Sequence, residues 1–488
     1  FFRPFNVVED PGLNDFIKSC SCERMPSTAD MLRLALDQTS KVTLELKSHL
    51  RACEGFSLGC EQFDFNGESF CAIKVTFCNS TFERMPFTLA VKAGPACAST
   101  IKETLTEFEL AVDKITSVTL RNVETSVDLE LEGCPKADYI YDVLHQVDTL
   151  LMEALDKGDV GSLLAKIRKH VGESHGFVQN GDAFAKSTPE FGNSIVGVHQ
   201  LLQEFERPQN AVDTEATKET DKWSPTTNEQ YMTKVLGTIL KPFYDATTTL
   251  SGEKFPTVGL AVPVFRRIQD VLEKTDLKET STDQVDEVTL KSMEEFLKSL
   301  AKSFSTNFSS ILGSGHPLMW TIPLDPRLIH MTGLSDGEKE SVTKALVGKL
   351  QKQKLEQGVS GTDEKEATEE GSKKQESSTM GGIFWGEDEE DKGSSESATS
   401  YAQATVDRYF NTVRSHRRID DPLDWWKSNQ AQFPELSQMA KLWFGSSATL
   451  EAISDDRNNY SGENFCLVAF LHENMDLPTY FPYGTVAV

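Results

Sequence analysis

The sequence predicts an α/β fold followed by a mainly all-α part, and two patterns of apolar residues support this prediction. Residues 56–93 contain short runs rich in Val, Phe, Thr and Ile between polar turns, which is the pattern of neighbouring β-strands. Residues 101–155 add a helix, a strand and a second helix, and residues 156–350 show mostly helical periodicity. At 488 residues the chain is long enough for roughly two to four domains.

The first 52 residues are predicted to form a helical region that leads into the core. Apolar residues recur at helical spacing from Met31 to Leu50, and Ser27 and Thr28 are candidates for the N-terminal cap.

The α/β core is predicted to span residues 53–156. Its elements are three strands, a helix, a fourth strand and a second helix: Phe56–Phe63, Ser69–Cys78, Phe82–Ala93, the run from Ile101 to Ala111, Ile115–Leu120, and the run from Ile140 to Leu155. This order is compatible with several α/β folds.

Two further segments follow the core. Residues 157–350 are predicted to be a helical insertion domain, with one apolar face that begins at Tyr231 and ends near Pro242. Residues 351–400 are rich in Glu, Ser, Gly, Lys and Asp and bury little, so we expect an acidic disordered linker.

Residues 401–488 contain the most informative stretch, which has two adjacent tryptophans. Adjacent residues point to different sides of a helix, so one core cannot easily cover both indoles and a partner surface is predicted. An ordinary buried pair is the alternative. The residues assigned to dimerisation are Leu423, Trp425, Trp426, Phe433, Pro434, Leu436, Met439, Ala440 and Trp443.

The order D-P-L-x-W-W-K-x-N-x-x-x-F-P-x-L at residues 421–436 resembles the C-terminal dimerisation region of hAT-superfamily (hobo/Activator-type) transposases and of the BED zinc-finger host proteins derived from them. Residues 4–12, 240–257 and 324–327 resemble other family markers. The resemblance implies a ribonuclease-H-like sheet interrupted by the helical insertion, and a homodimer or a pairing with related hAT-derived proteins.

The family's active site, as the resemblance implies, holds two Mg²⁺ ions on two aspartates and a glutamate. The matching positions here are Glu61, Arg121 and, weakly, Glu451. Glu61 adds a methylene, and the Arg121 guanidinium has no lone pair for a metal. We therefore expect vestigial positions with no catalytic or metal-binding role, and Mg²⁺ only if the chain is active.

Two more family markers have changed. The C-x-x-H element keeps Cys134 but has Ala137 for the histidine, and Glu190–Asn193 stands where the family has R-W-N-S. The sequence contains no P-loop, G-x-S-x-G or H-E-x-x-H motif.

Composition restricts the partners. A net charge of −26 opposes non-specific binding of nucleic acid by this chain. Nine cysteines in no regular framework indicate reduced thiols, and no apolar run is long enough to span a membrane. Because the chain begins at Phe1, we expect its N-terminus upstream, with zinc only in a BED finger there.

These observations predict a catalytically inactive, transposase-derived protein that acts through dimerisation and is a nuclear, DNA-associated regulator in its full-length form. The alternative is an active hAT DNA transposase with Mg²⁺-dependent strand cleavage and transfer. The sequence leaves open whether the gene is domesticated or a decaying transposon copy.

Overall fold

In a computed structural model of the chain, the structure describes residues 26–123, 138–174, 194–206, 223–251, 255–277, 285–313, 319–359, 389–416, 418–450, 452–453, 462–475 and 477. Predictions for residues 4–12, Cys134, Ala137, Glu190–Asn193 and Glu451 lie outside these ranges. The chain divides into two compact units: Phe1–His316 with Leu442–Val488, and Pro317–Lys441.

The first unit contains a mixed sheet of five strands among the described residues, in the order β3-β2-β1-β4-β5. β2 pairs antiparallel with β1 and β3, whereas β4 pairs parallel with β1 and β5. The strands are β1 (Phe56–Phe65), β2 (Glu68–Cys78), β3 (Arg84–Ala93), β4 (Ile115–Arg121) and β5 (Asp138–Tyr141).

The first four strands confirm the prediction within a few residues at each end. Asn66 and Gly67 both have positive φ (52° and 80°), which suits the tight hairpin turn between β1 and β2. The assignment of Ile140 to a helix is wrong, because Ile140 lies in β5. The helix begins only at Val143, where the Asp142 side chain accepts a hydrogen bond from the His145 backbone N–H.

The first unit also contains the helices α1 (Thr28–Arg51), α2 (Ala98–Glu107) and α3 (Val143–Leu155), of which α1 and α2 share a buried cluster with the strands. The predicted cap of α1 is confirmed, since Ser27 and Asp30 form a capping box. Val42 and Leu46 of α1 join Leu58 and Ile73 of the strands in one buried cluster. This core positions β1 and β4, which carry two residues of the second candidate site.

In the helical part of the first unit, the described residues between 157 and 313 are mainly helical, as predicted. Its helices are α4 (Gly158–Ser174), α5 (Ile195–Glu206), α6 (Thr227–Leu250), α7 (Ala261–Lys274), α8 (Glu287–Asn307) and α9 (Ser309–Leu312). The predicted end near Pro242 is wrong. α6 continues to Leu250 because Phe243, Ala246 and Leu250 extend its buried face.

The second unit contains 3₁₀ turns at Met319–Leu324 and Pro326–Leu328, followed by α10 (Asp336–Val359), α11 (Glu389–Ser415), α12 (Pro422–Asn429) and the start of α13 (Pro434–Trp443). Helix therefore covers residues 351–359 and 389–400, which the sequence assigned to a disordered linker. Local composition misled the prediction, because buried Leu346 and Leu350 anchor α10 just before its polar end.

The C-terminal residues return to the first unit, where α14 (Gly462–Glu473) contacts β3 and α1. Phe470 and Leu471 join the cluster of Leu58 and Ile73. The unit boundaries at 317 and 442 thus differ from the predicted domain boundaries at 350 and 401. Among the described residues, no helix is long and apolar enough to cross a membrane.

Candidate functional site

The tryptophan pair lies in the first turns of α12. Asp421 caps this helix through hydrogen bonds from the backbone N–H groups of Leu423 (2.7 Å) and Asp424 (3.4 Å), and Pro422 occupies the first turn. The two indoles meet edge to face, with ring centroids 4.9 Å apart and planes at 90°. The capped helix start fixes both side chains.

Both indoles are covered within the second unit. Trp426 has no exposed surface, stacks on Tyr409 at 5.2 Å and donates its Nε1–H to the Leu324 carbonyl at 2.9 Å. Trp425 is 6% exposed, packs edge-on against Tyr409 and lies parallel to Phe433. The expectation that one core cannot cover both is therefore wrong, because Tyr409 stacks on Trp426 and also meets Trp425 edge to face.

The other residues assigned to dimerisation are mostly interior. Those that are buried are Leu423, Phe433, Leu436, Met439 and Ala440. Pro434 is exposed and Trp443 is half-buried. Their assignment to dimerisation stays a prediction. Exposed side chains of the same segment, such as Lys427, Gln430 and Gln432, are the ones that a partner could reach directly.

A second candidate site lies where the parallel pairing of β1 and β4 ends. Glu61 and Arg121 are register partners in this parallel pair, which brings two predicted vestigial positions together. Arg121 Nε is 3.4 Å from Glu61 Oε1, and Arg121 Nη1 is 3.3 Å from Asp142 Oδ2. The carboxylates are almost fully buried and the guanidinium side chain is 18% exposed. One cation thus lies between two buried anions.

Glu61, Arg121 and Asp142 also form hydrogen bonds with three residues of the C-terminal part. We call these three, Thr449, Leu450 and Ile453, the tie residues. Asp142 accepts hydrogen bonds from Thr449 Oγ1 (2.7 Å) and the Leu450 N–H (2.9 Å). Glu61 Oε2 accepts from the Ile453 N–H at 3.2 Å. Arg121 Nη1 donates to the Leu450 carbonyl at 3.1 Å.

Burial dominates the electrostatics of this ion cluster. It raises the pKa of Glu61, while the positive charges of Lys74 and Arg121 act in the opposite direction. Lys74 itself is paired with Glu473 at 3.0 Å. On α3, burial raises the pKa of Asp148 and lowers that of His145, and Arg121 adds to the lowering at His145.

These residues do not fit the Mg²⁺ ions that the hAT resemblance implies. Mg²⁺ needs several oxygen ligands in near-octahedral geometry. Here the oxygens of Glu61 and Asp142 already accept from Arg121 and the tie residues, and the guanidinium is a permanent cation. Within the described ranges, no group of three or more His, Cys, Asp or Glu could hold a metal.

Sequence reasoning missed Asp142 and the tie residues. Asp142 carried a signal, because an aspartate directly before an apolar helical face is a typical N-cap. Thr449, Leu450 and Ile453 carried none, since their contacts are about 300 or more residues away in the sequence.

Residues 405–475 match the family model described as the hAT family C-terminal dimerisation region. The C-terminal part of the chain is similar to an hAT dimerisation region. This match supports an hAT-family, transposase-derived protein and a dimer, either with a second copy or with a related chain. It includes both tryptophans and the tie residues. A search of curated proteins finds no match to the chain.

Proposed function

We propose that this chain is a catalytically inactive, transposase-derived protein that acts through dimerisation of its C-terminal region. The match at 405–475 supports the dimerisation. A sheet whose first three strands are followed by a helix and a parallel fourth strand supports a ribonuclease-H-like core. The single observation that carries the loss of chemistry is Arg121, whose guanidinium lies between the two buried carboxylates.

Arg121 argues against metal-assisted strand cleavage on simple electrostatic grounds. A divalent metal ion at this sheet edge would have to approach a fixed positive charge at low dielectric. It would also have to displace the backbone donors that Glu61 and Asp142 accept from. Both effects disfavour the two-metal arrangement that clamps attacking and leaving oxygens in nucleases.

In its full-length form we propose that the protein is a nuclear, DNA-associated regulator. Because the net charge of −26 disfavours binding to DNA phosphates by this chain, we propose that these contacts come from a segment outside it, for which a BED zinc finger is our candidate. Dimerisation would then place two such fingers on one DNA site.

The loss of chemistry is tested with supercoiled plasmid in Mg²⁺ and in Mn²⁺. We expect wild type to produce no more nicked circle than Glu61→Gln, which removes one candidate ligand charge at nearly constant shape. Nicking that depends on Glu61 would contradict the proposal and support the active-transposase alternative.

The place of dimerisation is tested by hydrogen exchange of the full chain at two protein concentrations, one giving mainly dimer and one mainly monomer. We expect concentration-dependent protection to be confined to peptides from residues 405–475. Protection confined to other peptides, for example those of α8, would assign the interface elsewhere and contradict the proposal.

A further inference from the structure

The matched region at 405–475 exposes little apolar surface. Met475, at 38% exposed, is the only exposed large apolar side chain among the residues of this region that the structure describes. The exposed side chains that follow the tryptophan pair are largely polar, for example Lys427 and Gln432. Stable protein–protein interfaces depend on a few apolar or aromatic side chains that become buried at their centre. The described free surface of the matched region offers few such side chains for a dimer.

The apolar side chains of the region lie instead where its last part contacts the sheet. We call this part, residues 442–475, the C-terminal segment. Phe465 is 1% exposed and stacks on Phe65 of β1, with ring centroids 4.2 Å apart. Phe470 and Leu471 belong to the buried cluster that the strands form with α1 and α2. This contact has the apolar character of the interfaces in permanent dimers.

Polar pairs accompany the apolar contact. The Ser446 hydroxyl lies 2.7 Å from the Ser117 hydroxyl of β4, and neither residue has exposed surface. Glu473 of α14 pairs with Lys74 of β2 at 3.0 Å. Complementary charges and hydrogen bonds fix the orientation in which two surfaces bind. The C-terminal segment is therefore expected to bind the sheet in one defined orientation.

The path of the chain allows the same contacts to form between two copies. The C-terminal segment follows the second compact unit, and the unit boundary lies between Lys441 and Leu442. One crossing of the chain at this boundary leads into the segment. Its partners Lys74 and Ser117 lie more than 300 residues earlier in the sequence. The same pairs form whether these partners belong to the same chain or to a second copy, and such an exchange is a low-cost route to a dimer.

We propose that the chain dimerises by exchange of the C-terminal segment, which binds the sheet of a second copy through the contacts that the structure shows within one chain. The inference rests on the proposed dimerisation and names its interface. It accounts for a region that matches a dimerisation model and yet has most of its apolar side chains in the interior.

The first test uses a disulfide between the segment and the sheet. Because the Ser117 and Ser446 hydroxyls are 2.7 Å apart, cysteines at both positions bring two sulfur atoms within bonding reach after a small movement. The full chain with Ser117→Cys and Ser446→Cys is oxidised with diamide at a concentration at which light scattering measures its mass, and is then run on a denaturing gel without reductant. We expect a covalent dimer, and none in wild type or in either single variant.

The outcomes separate this inference from the proposed function. A dimer in solution whose disulfide joins positions 117 and 446 of one chain overturns the exchange and leaves the proposed dimerisation intact. A chain that is monomeric at every micromolar concentration overturns both. A covalent dimer in which mass spectrometry of the peptides finds the same disulfide supports both.

A charge exchange gives a second test that needs no disulfide. Lys74→Glu and Glu473→Lys each place two like charges at the pair that joins β2 to α14. Two chains, each with one of these substitutions and a different affinity tag, are co-expressed and purified through both tags. In an exchanged heterodimer both contacts again join opposite charges, so we expect it to melt at a higher temperature than either variant alone.

Two wild-type chains with the same two tags are the control for co-expression and tagging. A doubly tagged pair that melts no higher than the separate variants overturns the proposal, because a partner cannot repair a contact formed within one chain. If neither variant folds alone, folded protein from the co-expressed pair supports the exchange, and its absence overturns it.

Discussion

Trp425 and Trp426 are neighbours in the sequence but differ in hydrogen bonding. Trp426 donates to the Leu324 carbonyl, whereas Trp425 Nε1 is buried with no hydrogen-bond partner among the described residues. A buried donor without a partner costs free energy, while a satisfied one contributes a modest net gain. The two indoles therefore differ in what their N–H groups contribute to stability.

This difference predicts unequal effects of the same substitution. Trp426→Phe loses the hydrogen bond to Leu324, whose carbonyl then keeps only the longer hydrogen bond from the Tyr409 hydroxyl (3.4 Å), so we expect a loss of about 2–4 kcal/mol in the free energy of unfolding. Trp425→Phe removes an unsatisfied donor, which offsets the lost volume, and should cost about 1 kcal/mol or less. Urea denaturation of the two variants measures both values. Equal losses of stability in the two variants would contradict the difference in hydrogen bonding between the two indoles.

Glu61 gives the chain a testable pH dependence. Because burial raises its pKa, the folded chain holds the Glu61 proton more tightly than the unfolded chain does. Its contribution to stability is complete below the unfolded pKa of about 4.3 and is lost as the pH rises through the folded pKa. Glu61→Gln removes this loss. The stability of Glu61→Gln relative to wild type should therefore increase between about pH 4 and pH 7.

Urea denaturation of wild type and Glu61→Gln over this pH series measures the difference directly. A difference that stays constant, or that falls as the pH rises, would show that the Glu61 pKa is not raised in the folded chain.

At the scale of elements, local periodicity and capping residues predicted most strands of the sheet and the start of the first helix. The predicted strands within residues 56–93 and 115–120 are confirmed, and the helix after Ser27 begins where the capping residues indicate. β5 was missed because its four residues are too few to show a period. The linker ends were misread because α10 and α11 carry polar residues beyond their buried faces.

The chain from Gly445 to Ile453 is the element whose position the sequence could not indicate. A Cβ built on Gly445 would lie 2.6 Å from the Thr76 carbonyl oxygen and 3.1 Å from Phe77 Cα, both backbone atoms of β2. Only glycine allows this approach, which brings the following tie residues to Glu61 and Asp142. No local pattern in the sequence marks the contact between this glycine and β2.

Gly445→Ala is therefore expected to lower the free energy of unfolding by about 1–3 kcal/mol, because strand and chain must move apart. Gly237→Ala in α6 is the matched control, since its Cβ would meet nothing within 4 Å. That change should stabilise the helix by about 0.5–1 kcal/mol. Thermal melts of the two variants provide the comparison, and destabilisation by both or by neither would contradict the close approach.

At the scale of the whole molecule, the resemblance read from residues 421–436 predicted the dimerisation region that the family match supports. The division of that region between two compact units was not predictable. It depends on long-range contacts. One of them is the 2.8 Å hydrogen bond from Arg84 Nε to the Phe444 carbonyl, which places Phe444 beside β3. Because so many apolar side chains of the matched region are interior, its interface must be found by measurement.

Our central proposal is that the chain dimerises and that the ion cluster of Glu61, Arg121 and Asp142 stands in place of the metal site that the hAT resemblance implies. The most direct measurement is the molar mass of the full chain by size-exclusion chromatography with light scattering, over a range of micromolar concentrations. We expect twice the 54.3 kDa of one chain, with dissociation on dilution. A mass of one chain throughout this range would contradict the account.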